Sequence, residues 1–259
     1  MLERFRAAKA NEVHRLEQQY ANGHLPRPLP GRRPSLKALL LESDAPGVVA
    51  EYKRASPSHG VINPRLGARE AAEAYAAGGA TGISILTENQ YFQGSLAFLE
   101  RAASVGLPLL RKDFLFHPLQ IEETAATPAA AVLLIVRYFL DAPETLAALV
   151  GRAQSHGLET VVEVFAAEEI GLAREAGADI IQVNNRDLET LEVRLERSLE
   201  LGAHKGPNDV WISASGITDV QTVQALGRSG YDGVLVGTWL MQQPDPAAAV
   251  RALYGAGYA

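Results

Sequence analysis

Two glutamates stand where carboxylates are uncommon. Glu51 lies in Val48-Val49-Ala50-Glu51-Tyr52 and Glu163 in Val161-Val162-Glu163-Val164, each enclosed by apolar residues. A charge placed among such neighbours is costly unless it finds a partner. Lys53 follows Glu51 by two positions, and Lys112 closes the stretch Pro108-Leu109-Leu110-Arg111-Lys112. Carboxylates and ammonium groups that converge on one site are equipment for general acid–base chemistry, one group giving a proton and another taking it. Taken singly, each is read most simply as a solvated or paired charge. The four together, inside or at the ends of apolar runs, point to a site. A second set is small and polar: Ser215-Gly216-Ile217-Thr218 and Gly237-Thr238 each follow an apolar run. There backbone N–H groups can approach an anion with no side chain in the way, which suits a phosphate.

These residues need elements to hold them. Short β-branched apolar runs recur along the chain: Val48–Tyr52, Ile83–Thr87, Pro108–Lys112, Val132–Val136, Thr160–Val164, Ile180–Asn184, Val210–Ser213 and Gly233–Val236. They are mostly apolar rather than alternating, as parallel strands covered on both faces are. Helical patterns lie between them, among them Ala68–Ala77, Leu96–Val105, Pro143–Ser155 and Ala167–Glu175. Eight βα units favour closure into a (β/α)8 barrel over an open doubly wound sheet, and no glycine-rich dinucleotide fingerprint follows the first strand. In such a barrel the active site lies at the C-terminal ends of the strands. That rule gathers Glu51, Lys53, Lys112, Glu163, Asn184, Arg186, Ser215 and Gly237 at one mouth. The expected fold is therefore a single α/β barrel over residues 46–259, preceded by a helical extension over 1–45 that packs on it. In that extension Glu3–Gln19 reads as one amphipathic helix with Phe5, Val13 and Leu16 on its buried side. A Pro/Arg/Gly-rich connector from Leu25 to Pro34 leads to a short helix, Ser35–Leu41.

Composition narrows the partners. Of the 259 residues 47% are hydrophobic and 21% charged, ordinary values for a soluble globular protein. A net charge of -6 argues against nucleic acid as a partner, since phosphate backbones are met by basic surfaces. There is no cysteine, which excludes disulfides and thiolate metal sites. The longest apolar run, Ala129 to Val136, is too short to span a bilayer, and the charged start lacks the apolar stretch of a secretory signal. The expectation is a cytoplasmic protein, a monomer rather than an oligomer, whose partner is a small phosphorylated molecule rather than nucleic acid or membrane.

Several stretches then resemble a known family. VVAEYKRASPSHGVI, from Val48 to Ile62, is similar to the first-strand signature of indole-3-glycerol-phosphate synthases. ISILTENQYFQGSL, PLLRKDF, VEV, VNNRDL and SGI resemble the segments of strands two, three, five, six and seven, in order. EYKRASPS and LLRKDF are specific; VEV and SGI alone are not. The resemblance implies ring closure of a carboxyphenylamino-deoxyribulose phosphate to an indole, with loss of carbon dioxide and water, and without cofactor or metal. It implies Lys112 as general acid and Glu163 as general base. Lys53 would hold the charged groups of the substrate or share the acid role, with Glu51 orienting it. Asn184, Arg186 and Phe114 would contact substrate, and Ser56, Ser215, Gly216, Gly237 and Thr238 would cradle its phosphate. Glu88–Gly94 also matches the pattern cut by the tobacco etch virus protease that removes affinity tags, and is read as the loop after strand two.

Three departures stand out. The family usually has Glu where this chain has Ala214, small residues where it has Trp239, and Gly-Ala-Asp where it has Thr127-Pro128-Ala129. Ala214 and Trp239 keep two other readings open: a paralogue acting on another phosphorylated aminoketose, and a non-catalytic barrel that only binds a phosphorylated ligand.

Overall fold

In the computed structural model, which describes residues 1–255, the parallel strands close into a barrel. They are β1 (Gly47–Tyr52), β2 (Gly82–Leu86), β3 (Leu109–Lys112), β4 (Ala131–Ile135), β5 (Glu159–Val164), β6 (Ile180–Asn184), β7 (Trp211–Ala214) and β8 (Gly233–Val236). Each pairs with its sequence neighbours, and β1 closes the ring against β8, with Gly47 opposite Gly233 and Ala50 opposite Val236. Every residue of β1, β2, β4, β6, β7 and β8 is buried, because helices cover the outer face and side chains fill the inner one. The β-branched runs expected from the sequence match these strands to within a residue or two.

The outer layer is built by α4 (Ala68–Ala77), α5 (Ala97–Ala102), α6 (Pro118–Ala125), α7 (Pro143–Ser155), α8 (Ala167–Glu175), α9 (Glu196–Gly202), α10 (Val220–Arg228), α11 (Thr238–Met241) and α12 (Pro246–Tyr254). Pro118, Pro143 and Pro246 open their helices at a position where the missing N–H leaves no bond unmade. The expected helix Leu96–Val105 is α5 followed by a tighter 3-10 turn, Ala103–Val105. Among the described residues no helix is long and apolar enough to cross a membrane.

Before β1 come α1 (Leu2–Ala8), α2 (Ala10–Ala21) and α3 (Leu36–Leu41). The single helix expected over Glu3–Gln19 is interrupted at Lys9, which keeps near-helical dihedrals (φ -86°, ψ -6°) while its side chain turns inward. Phe5 and Leu16 are buried as expected; Val13 is only partly covered. The segment runs the length of the barrel. Phe5 of α1 packs at the mouth, and the connector follows α6, where Arg33 donates to the carbonyls of Ala125, Thr127 and Ala129. The backbone N–H groups of Leu36 and Lys37 in α3 donate to Glu159 Oε2 at the start of β5 (2.8 and 3.1 Å). There Leu36 and Leu40 press so closely on the strand starts that a Cβ at Gly82 or Gly233 would meet them at 2.7 and 2.6 Å. Thr127-Pro128-Ala129 thus lies at the N-terminal end of β4, away from the mouth.

Candidate active site

At the C-terminal ends of the strands the barrel opens into a cavity of about 280 Å³. Glu51 and Lys53 reach it from β1, Lys112 and Phe114 from β3, and Glu163 from β5. Asn184 and Arg186 enter from β6, Ser215 and Gly216 from the turn after β7, and Gly237 and Thr238 from the turn after β8. Ser56 lines it too, through an element not foreseen. The loop after β1 folds into a small hairpin, in which Ala55–Ser56 pairs antiparallel with Gly60–Val61. All the site residues expected from the sequence therefore line one cavity.

The charges are arranged unequally. Glu51 is buried and shared, with Oε1 2.8 Å from Lys53 Nζ and Oε2 3.8 Å from Lys112 Nζ. Burial pushes its carboxyl up, but the two ammonium groups outweigh this and hold it below its usual value. For Glu163 burial wins. Its carboxyl is raised although Lys112 and the amides of Asn184 and Gln182 favour its charged form, and Glu51 adds like charge. Two carboxylates in one mouth are thus pushed apart, one kept ionised as counterion to the lysines and the other raised toward the range where it can take a proton. His59, at the rim, is lowered by partial burial and by Arg186 and Lys53.

Opposite the β3–β4 wall the backbone supplies the polar surface. Ser215 and Gly216 both adopt left-handed dihedrals, φ 76° and 85°. That conformation is strained for Ser215, and it is held by Ser215 Oγ donating to Asn184 Oδ1 (2.9 Å) and Asn185 Nδ2 donating to the Ser215 carbonyl (3.0 Å). Gly237 is needed for a different reason: a Cβ there would lie 2.3 Å from Glu51 Oε1. The turn after β8 and the β1 carboxylate are therefore packed against each other. Thr238 opens α11, and Trp239, partly buried, is among the residues that line the cavity. Ala214, 2% exposed, lines it as well, in register with Asn184 and Leu235.

The remaining wall is apolar, and most of it escaped the sequence. Phe5 stacks on Phe114 with ring centroids 4.0 Å apart, and Phe92 leans on both at 6.0 and 5.9 Å. Leu133 and Ile135 of β4 and Leu188 continue it. The only hint was the aromatic content of the strand-two loop, since a contact between residues 5 and 114 leaves no local pattern. Arg186, half-buried, is steadied by its own N–H on Asn184 Oδ1 (3.0 Å) and by Nη1 on the Leu191 carbonyl (2.8 Å).

A closed eight-stranded parallel βα barrel with carboxylates, lysines and glycine turns gathered at its C-terminal rim is a (β/α)8 barrel, the architecture whose enzymes carry their active sites at that rim. Solved structures agree on the fold. A 3-hexulose-6-phosphate synthase from Salmonella typhimurium superposes with a TM-score of 0.62 at 16% identity, covering 80% of this chain and 96% of that one. A thiamine phosphate pyrophosphorylase from Pyrococcus furiosus does so with a TM-score of 0.59 at 18% identity, covering 85% and 96%. Sequence goes further: the family model for indole-3-glycerol phosphate synthase matches residues 2–253. Relatives carrying that name are 39% identical in Carboxydothermus hydrogenoformans (93% of this chain, 90% of the relative), 40% in Geobacillus thermodenitrificans (98% and 97%) and 43% in Methanopyrus kandleri (89% and 90%). The chain belongs to the indole-3-glycerol phosphate synthase family.

Proposed function

We propose that this protein closes the indole ring of 1-(2-carboxyphenylamino)-1-deoxyribulose 5-phosphate, releasing carbon dioxide and water to leave indole-3-glycerol phosphate. The observation that carries the reading is the unequal pair of carboxylates around Lys112, inside a cavity with an apolar wall on one side and a backbone anion cradle on the other. The phosphate is assigned to Ser56, Ser215, Gly216, Gly237 and Thr238, and the aromatic ring to the wall of Phe92, Phe114 and Leu133. Between them Lys112 gives a proton to the substrate carbonyl as the ring carbon attacks it. Carbon dioxide then leaves, and its bonding pair returns to the ring. In the dehydration that follows, the hydroxyl formed from the carbonyl leaves as water with a proton from Lys53, and Glu163 takes the proton given up by the neighbouring ring carbon as the double bond forms. Glu51 keeps Lys53 and Lys112 charge-balanced, and Lys53, Asn184 and Arg186 hold the polar groups of the substrate. Residues 1–45 are read as a helical extension packed on the barrel rather than as a domain of their own, with Met1 and Phe5 lining the cavity. A cytoplasmic, monomeric enzyme fits the reading.

The test is turnover of that substrate followed by indole fluorescence. The parent is expected to be active and Lys112→Ala to lose at least about a hundredfold, the scale of a positioned acid. No fluorescence from the parent, or near-parental turnover in the variant, would overturn the reading. A second reading, another phosphorylated aminoketose as substrate, is favoured by one observation: Ala214 and Trp239 line the same cavity.

A further inference from the structure

Gln182 lies beneath the cavity, not on its wall. It is fully buried on β6, two residues before Asn184 and therefore on the same face of the strand. Its neighbour in register on β5 is Glu163. Its Nε2 donates to Glu163 Oε2 at 2.5 Å, and its Oε1 has no hydrogen-bond partner among the described residues. A buried amide half-satisfied in this way is costly, and replacing it by an apolar side chain of similar size would ordinarily be tolerated. Its place is explained if the amide serves the carboxylate above it.

We propose that Gln182 is the positioning residue of the base: its amide holds the Glu163 carboxylate toward the cavity and can partner that group both before and after it takes a proton. While Glu163 is ionised, the amide N–H₂ donates to it. Once Glu163 carries the proton, a half-turn of the amide presents the carbonyl oxygen, which accepts from the new O–H. Oε1 makes no bond that such a turn would break. A methionine here could serve neither state and a glutamate only one. The other groups facing Glu163 are Lys112 from the end of β3, Glu51 from β1 and the Asn184 amide from β6. None of the three can both donate to the ionised group and accept from the protonated one without giving up an existing partner: Lys112 has only donors, Glu51 holds the lysines, and Asn184 Oδ1 already accepts from Ser215 and Arg186.

The proposal rests on the reading of Glu163 as base, so the experiment separates the two. The carboxyl carbon of Glu163 is titrated by NMR in the full, substrate-free protein labelled at glutamate side chains, with the signal assigned by its loss in Glu163→Gln. In Gln182→Met both states of Glu163 lose a partner, and the midpoint is expected to rise by up to about one pH unit, the amount by which a hydrogen bond to a charged group exceeds one to a neutral group. The acidic limb of kcat/KM should move with it, and the melting temperature should hold or rise. In Gln182→Glu two carboxyls face each other and share a proton, so the midpoint should rise further; this isostere carries the test if the methionine variant does not fold. An unmoved midpoint in a folded variant overturns the proposal whatever the activity. A moved midpoint in a parent that does not turn over the substrate supports it and sinks the functional reading instead. A moved midpoint with a fixed kcat/KM limb shows that Gln182 acts on Glu163 but that Glu163 is not the base, and overturns the proposal as stated.

Discussion

At the scale of single residues, the site depends on two carboxylates made unlike by their surroundings. Because burial raises Glu163, the carboxylate proposed as the base is fully ionised only above the ordinary carboxylate range of about 4. Activity should therefore rise with pH through a limb that lies above that range, and Glu163→Gln should abolish the limb along with most turnover. A limb of unchanged position and height in the variant would place the base elsewhere. The sign is opposite for stability. A carboxyl raised on folding contributes stability at low pH that is lost as pH rises through its folded value, whereas the lowered Glu51 contributes stability at higher pH that is lost on acidification. Ala214 is the other residue to test. A glutamate there would stand in register with Asn184 and face the cavity of Lys53 and Lys112. Ala214→Glu is expected to raise turnover, because an opposite charge orders both lysines, and to leave the melting temperature unchanged. A fall in melting temperature with no gain in turnover would mean a buried carboxylate without a partner, costing a few kcal/mol. It would shift the assignment to another aminoketose.

At the scale of elements, strand ends do the positioning and the loops after them are built rather than slack. The loop after β2 shows this. Glu88 is buried, and its carboxylate accepts from the backbone N–H groups of Gln90, Tyr91 and Phe92 (2.8, 2.7 and 3.1 Å), while the Gly94 N–H returns to the Glu88 carbonyl (2.7 Å). A protease must draw its recognition segment out as an extended strand, which would break all four bonds. Native protein should therefore resist the tobacco etch virus protease although Glu88–Gly94 matches its pattern, whereas the urea-unfolded chain, diluted into the assay, should be cut before it refolds. Rapid cutting of native protein into two fragments would show that the loop opens freely. Glu88→Ala removes the first residue of that pattern as well as the cap, so the cap is tested with a protease of broad specificity, which should cut the variant in this loop faster than the parent.

At the scale of the whole molecule, the segment before β1 is tied to the barrel by a buried ion cluster beneath the aromatic wall. Lys9, 2% exposed, places Nζ 2.9 Å from Asp113 Oδ2 and also pairs with Glu12. Asp113 accepts in turn from Thr87 Oγ1 (2.6 Å) and from Arg111 Nη2 (3.3 Å), and its Oδ1 receives the Phe114 N–H (2.8 Å). Burial would raise the Asp113 carboxyl, but Lys9 and Arg111 hold it low. Removing one partner of such a cluster strands the other. Lys9→Met is expected to destabilise the protein by about 3 kcal/mol, read by urea unfolding, with most of the loss recovered when Asp113 is replaced by Asn in the same chain. Additive losses in the double variant would show that the two residues act independently. The stability carried by Asp113 is present above its unfolded value and disappears as pH falls through the folded one, so the Lys9→Met penalty should shrink on acidification.

Much of this was legible in the chain itself. The number and order of βα units, the strand that each site residue ends, and the placement of carboxylates inside apolar runs are local properties, because a strand's burial is written in its own residues. Once the barrel rule is applied, those facts bring Glu51, Lys53, Lys112, Glu163, Asn184, Arg186 and the two glycine turns to one rim. What the chain could not reveal is what crosses it. Both faces of a buried parallel strand are apolar, so the inward turn of Gln182 toward Glu163 has no alternating pattern to announce it. Lys9 meets Asp113 104 residues away, and Phe5 stacks on the ring of Phe114 just after β3. Nor does a sequence say that Gly237 is glycine because a β1 carboxylate lies where its side chain would be. Those contacts exist only after the ring closes, since closure is what brings β1 against β8 and the first helix over the mouth.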